Sequence, residues 1–269
     1  MSSRYAFECW LSPAELASLP SSKYWNDEEA ERSKVWDVTG GDFAAVEAHA
    51  ATLGLMAQLT AIKGALAGRG HRIGGRGASL ACGTAWLEAQ MLAGDAAIEH
   101  VSCVEFSRHR IERLAPLMLD HYGIAPERVR LCLGSFYDLK FEDGEFDFVV
   151  LSQAFHHADD PLRLLAEVRR ILKPGGVVVV IGEHWFGSVD YARRLAKHFA
   201  KWVLNRKGWR TRTPLLPRYR HLYPPDVRKG DTFYSPAEYD RMFASFGFGA
   251  VHHVRRPIRQ QAFGLLAPP

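Results

Sequence analysis

The chain has 269 residues, 34 Lys or Arg against 30 Asp or Glu, and a net charge of +4, a length that buries a full core without a second independent domain. Its four cysteines are far too few for a disulfide scaffold. The N-terminus MSSRYAFECW lacks a basic region followed by an apolar run, and the longest apolar stretch, residues 177–181, is far short of a membrane span, so the reading is a soluble, cytoplasmic chain with reduced thiols and no transmembrane segment.

Residues 1–43 are polar and aromatic, with Pro13, Pro20 and the acidic cluster Asp27, Glu28, Glu29 and Glu31, and read as an arm or cap. Good helix formers fill residues 42–66 and predict one long helix, ended by the glycines from Gly68 to Gly77. A short apolar strand at residues 78–80 then enters a small-residue turn and a helix. Residues 100–106 make a second strand. After it Ser107 suits an N-cap, and Ile111, Leu114, Met118, Leu119 and Tyr122 fall at helical spacing, with Pro116 expected to kink or shorten that helix. Val129–Leu133, Phe146–Ser152 and residues 177–182 supply three more strands. Between the last two, Asp159 or Asp160 caps a helix whose buried face is Leu162, Leu165, Val168 and Leu172, with Lys173-Pro174-Gly175-Gly176 as its stop. Strands alternating with helices predict a largely parallel sheet.

Gly83 lies in a turn where a ligand approaches bare backbone, and Glu105 follows 22 residues later at the end of the second strand. An acid there can hold a ribose diol, as in nucleotide-binding βαβ units. Cys82, Cys103 and Cys132 have no CxxC pair or His partner at metal spacing, so no metal is expected.

Five strings in order carry a family resemblance: ASLACGTA at residues 78–85, Glu105, GSFYDLKFEDGEFDFVVLSQAFHHADDP at 134–161, ILKPGGVVVVIGEH at 171–184 and FYSPAEYDRMFASFGF at 233–248. Together they resemble the class I S-adenosylmethionine-dependent methyltransferases. The resemblance implies a Rossmann-like, mostly parallel seven-stranded α/β sheet with helices on both faces and a reversed C-terminal hairpin. It also implies the cofactor contacts: the backbone of Ala81, Cys82, Gly83, Thr84 and Ala85 toward the methionine part, with Ser79 beneath. Glu105 and Phe106 would take the ribose, Ser135 and Phe136 the adenine, and Ser152 and Gln153 the sulfonium end. S-adenosylhomocysteine would be the product.

Four positions depart from the family pattern. Ser79 stands for an acid, Ala81 and Ala85 for glycines, and Ser135 for an aspartate. Alanine fits those turn positions if its φ stays negative, and the lost acceptors predict roughly tenfold weaker cofactor binding.

Methyl transfer to a hydroxyl benefits from a base, and the candidates are His156 and His157 after the fourth strand and His184 after the fifth. The same pair also suits packing of its loop. Residues 185–232 form an insertion with twelve Lys or Arg and three Asp or Glu, in which Tyr191, Leu195, Phe199, Trp202 and Val203 make an apolar helical stripe and Trp209, Tyr219 and Tyr223 alternate with Arg210, Arg212, Arg218 and Arg220. Four readings stand: a solvated lid, a lid gripping a phosphate or carboxylate through arginines, a nucleic-acid surface, or an interfacial membrane helix. The organisation is therefore an arm (1–43), a cofactor-binding core (44–184), a lid (185–232) and a C-terminal helix and hairpin (233–269). The expectation is methyl transfer to the oxygen of a small or medium, anionic acceptor, with Tyr24, Trp25, Trp36, Arg218 and Arg220 as substrate contacts. A cofactor-sensing module and a nucleic-acid methyltransferase are the alternatives.

Overall fold

The computed structural model describes residues 4–12, 14–15, 22–204, 214–226, 230–256 and 260–269, with backbone alone for 22–23 and 254–256. In chain order the elements are β1 (Ala6–Cys9), the short helices α1 (Ser22–Trp25) and α2 (Glu28–Arg32), then α3 (Phe43–Leu53), α4 (Leu55–Ala67), β2 (Gly75–Leu80), α5 (Trp86–Gly94) and β3 (Ile98–Glu105). A π-helical turn, Arg110–Leu114, leads into α6 (Ala115–His121). There follow β4 (Val129–Leu133), β5 (Phe146–Ser152), α7 (Pro161–Ile171), β6 (Leu172–His184), α8 (Ser188–Leu204), α9 (Tyr219–Leu222), α10 (Pro236–Ser245), β7 (Gly249–Arg256) and β8 (Gln260–Leu266).

One sheet runs in the order β1-β4-β3-β2-β5-β6-β8-β7. Strands β1 to β6 pair in parallel, and β8 runs antiparallel to both β6 and β7. Two apolar layers sandwich it. One gathers Leu59, Ile62, Trp86, Met91, Ile111 and Met118, the other Phe146, Leu165, Val168, Tyr239, Phe243 and Phe263. Central strands such as FDFVVLS are buried on both faces, which is why they read as continuous apolar runs.

The sheet has eight strands, one more than expected, and the eighth comes from the arm. Ala6–Cys9 pairs with Arg130–Leu133, and the Arg130 guanidinium grips Glu8 through two bonds of 2.8 and 2.6 Å. β1 is an edge strand with little burial, so no apolar alternation announces it. The single helix expected over residues 42–66 is two, bent by 54° at Gly54, whose φ of +64° closes α3. Among the described residues no single helix is long and apolar enough to cross a membrane.

Pro116 has no N–H to give, and the chain meets this with the π-turn ahead of it, so α6 restarts with Pro116 in its first turn. In α7 the buried face is Leu164, Leu165, Val168 and Ile171, whereas Leu162 is 50% exposed and Leu172 already belongs to β6. Asp160 caps that helix from Arg163 N, which rotates Leu162 outward.

Candidate active site

Chain order reverses between β2 and β5: β3 and β4 lie to one side, β6 to the other. Open α/β sheets bind ligands at this crevice, outside the carboxyl ends of the strands. A cavity of about 740 Å³ occupies it, within the range of small-molecule sites.

Ala81, Cys82, Gly83 and Thr84 form its rim after β2, and Glu105 with Phe106 lies next to them at the end of β3. Ser135 and Phe136 follow β4, and Ser152 and Gln153 close β5. Ten of the twelve residues expected to hold the cofactor thus line one space. The other two stand behind it: Ala85 is wholly buried, and Ser79, also buried, lies in β2 beneath the turn.

The expectation of negative φ at the two alanines is overturned. Ala81 has φ +56° and Ala85 +58°, alongside Gly83 at +61° and Gln153 at +53°. The turn keeps its glycine geometry and accepts the strain of two methyl groups in the left-handed region. Glu105 holds it in that shape. Its carboxylate accepts Gly83 N at 2.7 Å and both Phe106 N and Ser107 N at 2.8 Å. A Cβ built on Gly83 would meet only Arg110 Nη1, at 3.8 Å, so the backbone here faces open space.

Ser79, standing where the family carries an acid, donates its hydroxyl to Glu88 of α5. A carboxyl is thus restored at this spot from the following helix, and sequence alone gave no sign of it. Burial raises Glu88 to about 7 against the hydrogen bond from Ser79, and its second oxygen has no partner. The folded chain therefore holds a proton that the unfolded chain releases near pH 4.5, and this contribution to stability is lost as pH rises through about 7. Glu88→Gln is expected to gain on the wild type by roughly 2–3 kcal/mol at pH 8 and by little at pH 4. Denaturant unfolding at the two pH values checks this, and an equal difference at both would mean that Glu88 titrates as an exposed group.

The arm lines the cavity with Tyr24, Trp25, Lys34 and Trp36, and the turn after β3 adds a second cation, Arg110. Both pair with the buried Glu31, Arg110 through Nε at 2.7 Å and Nη2 at 3.2 Å. Lys34 lies over the rings of Tyr24 and Trp25, and Arg110 over Trp25. These cation–π contacts fix the aromatic wall. Lys34 and Arg110 were not singled out from sequence, and Glu31 was named only within the arm's acidic cluster, because an arm residue and the start of a core helix carry no shared pattern.

At the opposite end the three candidate histidines converge. Ring centroids of His156 and His157 are 4.2 Å apart and those of His156 and His184 4.4 Å. His156 Nδ1 lies 3.1 Å from Glu183 Oε2, and the wholly buried Glu183 also accepts Phe155 N at 3.1 Å and the Tyr239 hydroxyl at 2.8 Å. Burial opposes both charges, yet the pair prevails: His156 is raised and Glu183 lowered. His157 and His184 are each pushed down to about 4, by burial first and then by His156, so both are neutral at pH 7. Asp231 Oδ1 stands 2.8 Å from His157 Nδ1, and the Trp25 ring meets His157 edge-on at 4.7 Å. Asp231 was not foreseen, since a loop acid 74 residues from His157 has no spacing signal.

The arginines fall elsewhere. Arg220 bridges Glu238 at 3.5 Å and covers Tyr234, Arg218 is exposed at the start of α9, and neither lines the cavity. Trp209, Arg210 and Arg212 lie outside the described residues.

Residues 78–180 match a methyltransferase-domain family. An uncharacterized methyltransferase of Schizosaccharomyces pombe is 35% identical over 78 residues, 28% of each chain. The demethylmenaquinone methyltransferase of Staphylococcus aureus is 30% identical over 112 residues, 42% of this chain and 44% of that one. The chain thus spans less than half the length of these curated relatives. A Methanococcus maripaludis protein assigned to the S-adenosyl-L-methionine-dependent methyltransferases shares the fold over 94% of this chain and 95% of its own, with a TM-score of 0.52 and 12% identity. A Galdieria sulphuraria protein assigned as a sarcosine dimethylglycine methyltransferase does so over 82% and 86%, with a TM-score of 0.53 and 16% identity. Residues 78–180 carry a methyltransferase domain.

S-adenosylmethionine is the cofactor of this methyltransferase domain, and the residues present fit it. Gly83 leaves open backbone for the methionine part, with Arg110 and Lys34 nearby for its carboxylate. The Glu105 carboxylate borders the cavity where the ribose would lie, and Phe136 offers a ring beside the adenine position. The methyl group it supplies is electrophilic as a sulfonium and needs only an aligned acceptor.

Proposed function

We propose that the protein methylates a hydroxyl oxygen of a small molecule seated between the Trp25 wall and the histidine cluster. The observation that supports this most is the continuity of the cavity, which runs from the strand tips of Ala81 to Gln153 to His156, His157, His184 and Asp231. A half-buried aromatic and imidazole lining suits a ring-bearing acceptor. The anionic character expected of the acceptor gains no support from Arg218 and Arg220, neither of which lines the cavity.

The chain's own contribution is positioning, exclusion of water and a place for a proton. Tyr24 and Trp25 cover the acceptor, and Gln153, held at φ +53° with its N–H on Ile181 O at 2.8 Å, borders the reacting end. A cofactor held at the strand tips would supply the methyl group, and a hydroxyl accepting it would be acidic enough for a weak base to take its proton. The neutral imidazoles of His157 and His184 receive that proton.

His184→Gln and His157→Gln are each expected to lower turnover by about 10²-fold or more, with S-adenosylhomocysteine affinity changed less than about threefold. In the wild type, turnover is expected to hold steady through neutral pH and fall below about pH 5 as these imidazoles protonate. Transfer of a labelled methyl group to a panel of hydroxylated aromatic compounds checks both. Unchanged turnover in the two variants returns the histidines to a packing role, and absence of transfer to every hydroxyl compound rejects an oxygen acceptor.

A further inference from the structure

We propose that His156, His157 and Asp231 form a binding site for one divalent transition-metal ion, with zinc the expected occupant. The proposal rests on the placement of the acceptor end given above, but the binding of an ion is independent of methyl transfer.

One ligating atom from each of these three residues lies within 4.8 Å of the others, and His156 and Asp231 are buried. Such a set, two imidazoles and a carboxylate, is a common donor set for zinc and for other first-row ions that keep an open position. Tetrahedral spacing at zinc requires ligand atoms about 3.4 Å apart, so the widest pair must close by up to about 1.4 Å while His157 and Asp231 move apart from 2.8 Å.

Two further observations point to an ion. His157 Nδ1 and Asp231 Oδ1 are both shielded from solvent and only 2.8 Å apart, yet they are misaligned and neither has a hydrogen-bond partner. A protonated imidazole would place its N–H on the oxygen along the line between them. Two buried donors crowded together without a bond are accounted for when both direct lone pairs at a third body. The other observation concerns His156. A carboxylate only accepts, so the Glu183 contact holds a proton on His156 Nδ1 and leaves Nε2 as the ligand atom, from which an incoming ion would displace the second proton of the charged ring. Carboxylate–histidine pairs of this kind orient imidazole ligands of metals. Glu183 is itself held by Phe155 N and Tyr239, so the orientation is rigid.

Backbone contacts bring the third ligand to the place. Thr232 N donates to His156 O at 2.6 Å, and Asp226 and Asp231 exchange backbone bonds of 2.8 and 3.1 Å, which pins Asp231 beside the histidines. The cluster lines the cavity, so an ion there would face the acceptor and could hold its oxygen. With His157 on the ion, His184 is the imidazole left to take the proton.

The test uses the full chain, freed of metal with a chelator and dialysed, and titrated with Zn²⁺ in competition with a chromophoric chelator and with Co²⁺ by visible absorption. One equivalent is expected to bind, with the intense bands of a four- or five-coordinate cobalt site. Asp231→Asn and His157→Gln are each expected to weaken Zn²⁺ binding at least tenfold, while circular dichroism and S-adenosylhomocysteine affinity show that both variants are folded. No stoichiometric binding to the folded wild type overturns the proposal, and so does binding that survives both substitutions unchanged, since the chain's other histidines would then be the ligands. Methyl transfer by a metal-free protein with no affinity for Zn²⁺ rejects the site and leaves the proposed function standing. Stoichiometric, variant-sensitive binding without transfer to any hydroxyl does the reverse.

Discussion

Glu183→Ala is expected to destabilise the protein by about 3–5 kcal/mol, the range for removing one partner of a buried charged pair. Glu183 is fully buried and receives three donors, Phe155 N, His156 Nδ1 and the Tyr239 hydroxyl. An alanine leaves all three unsatisfied in the core and removes the charge that raises His156. Phe155 and Tyr239 pack against Phe243 and Phe263 on the same side of the sheet. Glu183→Gln should recover part of the loss, since its carbonyl oxygen still accepts. Urea unfolding at pH 7 measures both, and a loss under about 1 kcal/mol for the alanine variant would show that these donors find other acceptors.

Glu105→Ala is expected to weaken S-adenosylhomocysteine binding by about 10²-fold, near 3 kcal/mol. From the sequence the loss is one charged contact to ribose, worth about 1.5 to 3 kcal/mol. The structure puts the effect at the upper end, because the same carboxylate ties Gly83 N, Phe106 N and Ser107 N. Without it, the turn that presents bare backbone has two alanines in the left-handed region and nothing to hold them there. Stability should fall as well, by about 2 kcal/mol for the orphaned N–H groups. Titration calorimetry separates the two effects when run on protein shown to be folded, and unchanged affinity would remove Glu105 from the site.

The parallel core was legible because its strands are buried on both faces and its connections end in Gly, Pro or capping acids. Ten of the twelve residues read as cofactor contacts line one cavity for a related reason: they lie at or just past strand ends, which converge by topology at the switch point. What sequence could not show depended on contacts between distant segments. β1 has four residues and an exposed burial pattern, so only its partner Val129–Leu133 makes it a strand. Glu88 replaces the missing acid from a helix, and Asp231 reaches the histidines across the fold. The sign of φ at Ala81 and Ala85 was misjudged because residue type argued against strain that Glu105 holds in place.

The position of β1 also bears on how the polypeptide reaches its final form. It precedes its neighbour β4 by more than a hundred residues, so it leaves the ribosome well before the strand it pairs with. Until then β1 has nothing to pair with, and until β1 docks the flank of β4 offers open amide and carbonyl groups to any passing extended strand. Closing that flank belongs to the end of folding, and the Arg130 clasp on Glu8 is the latch that retains it.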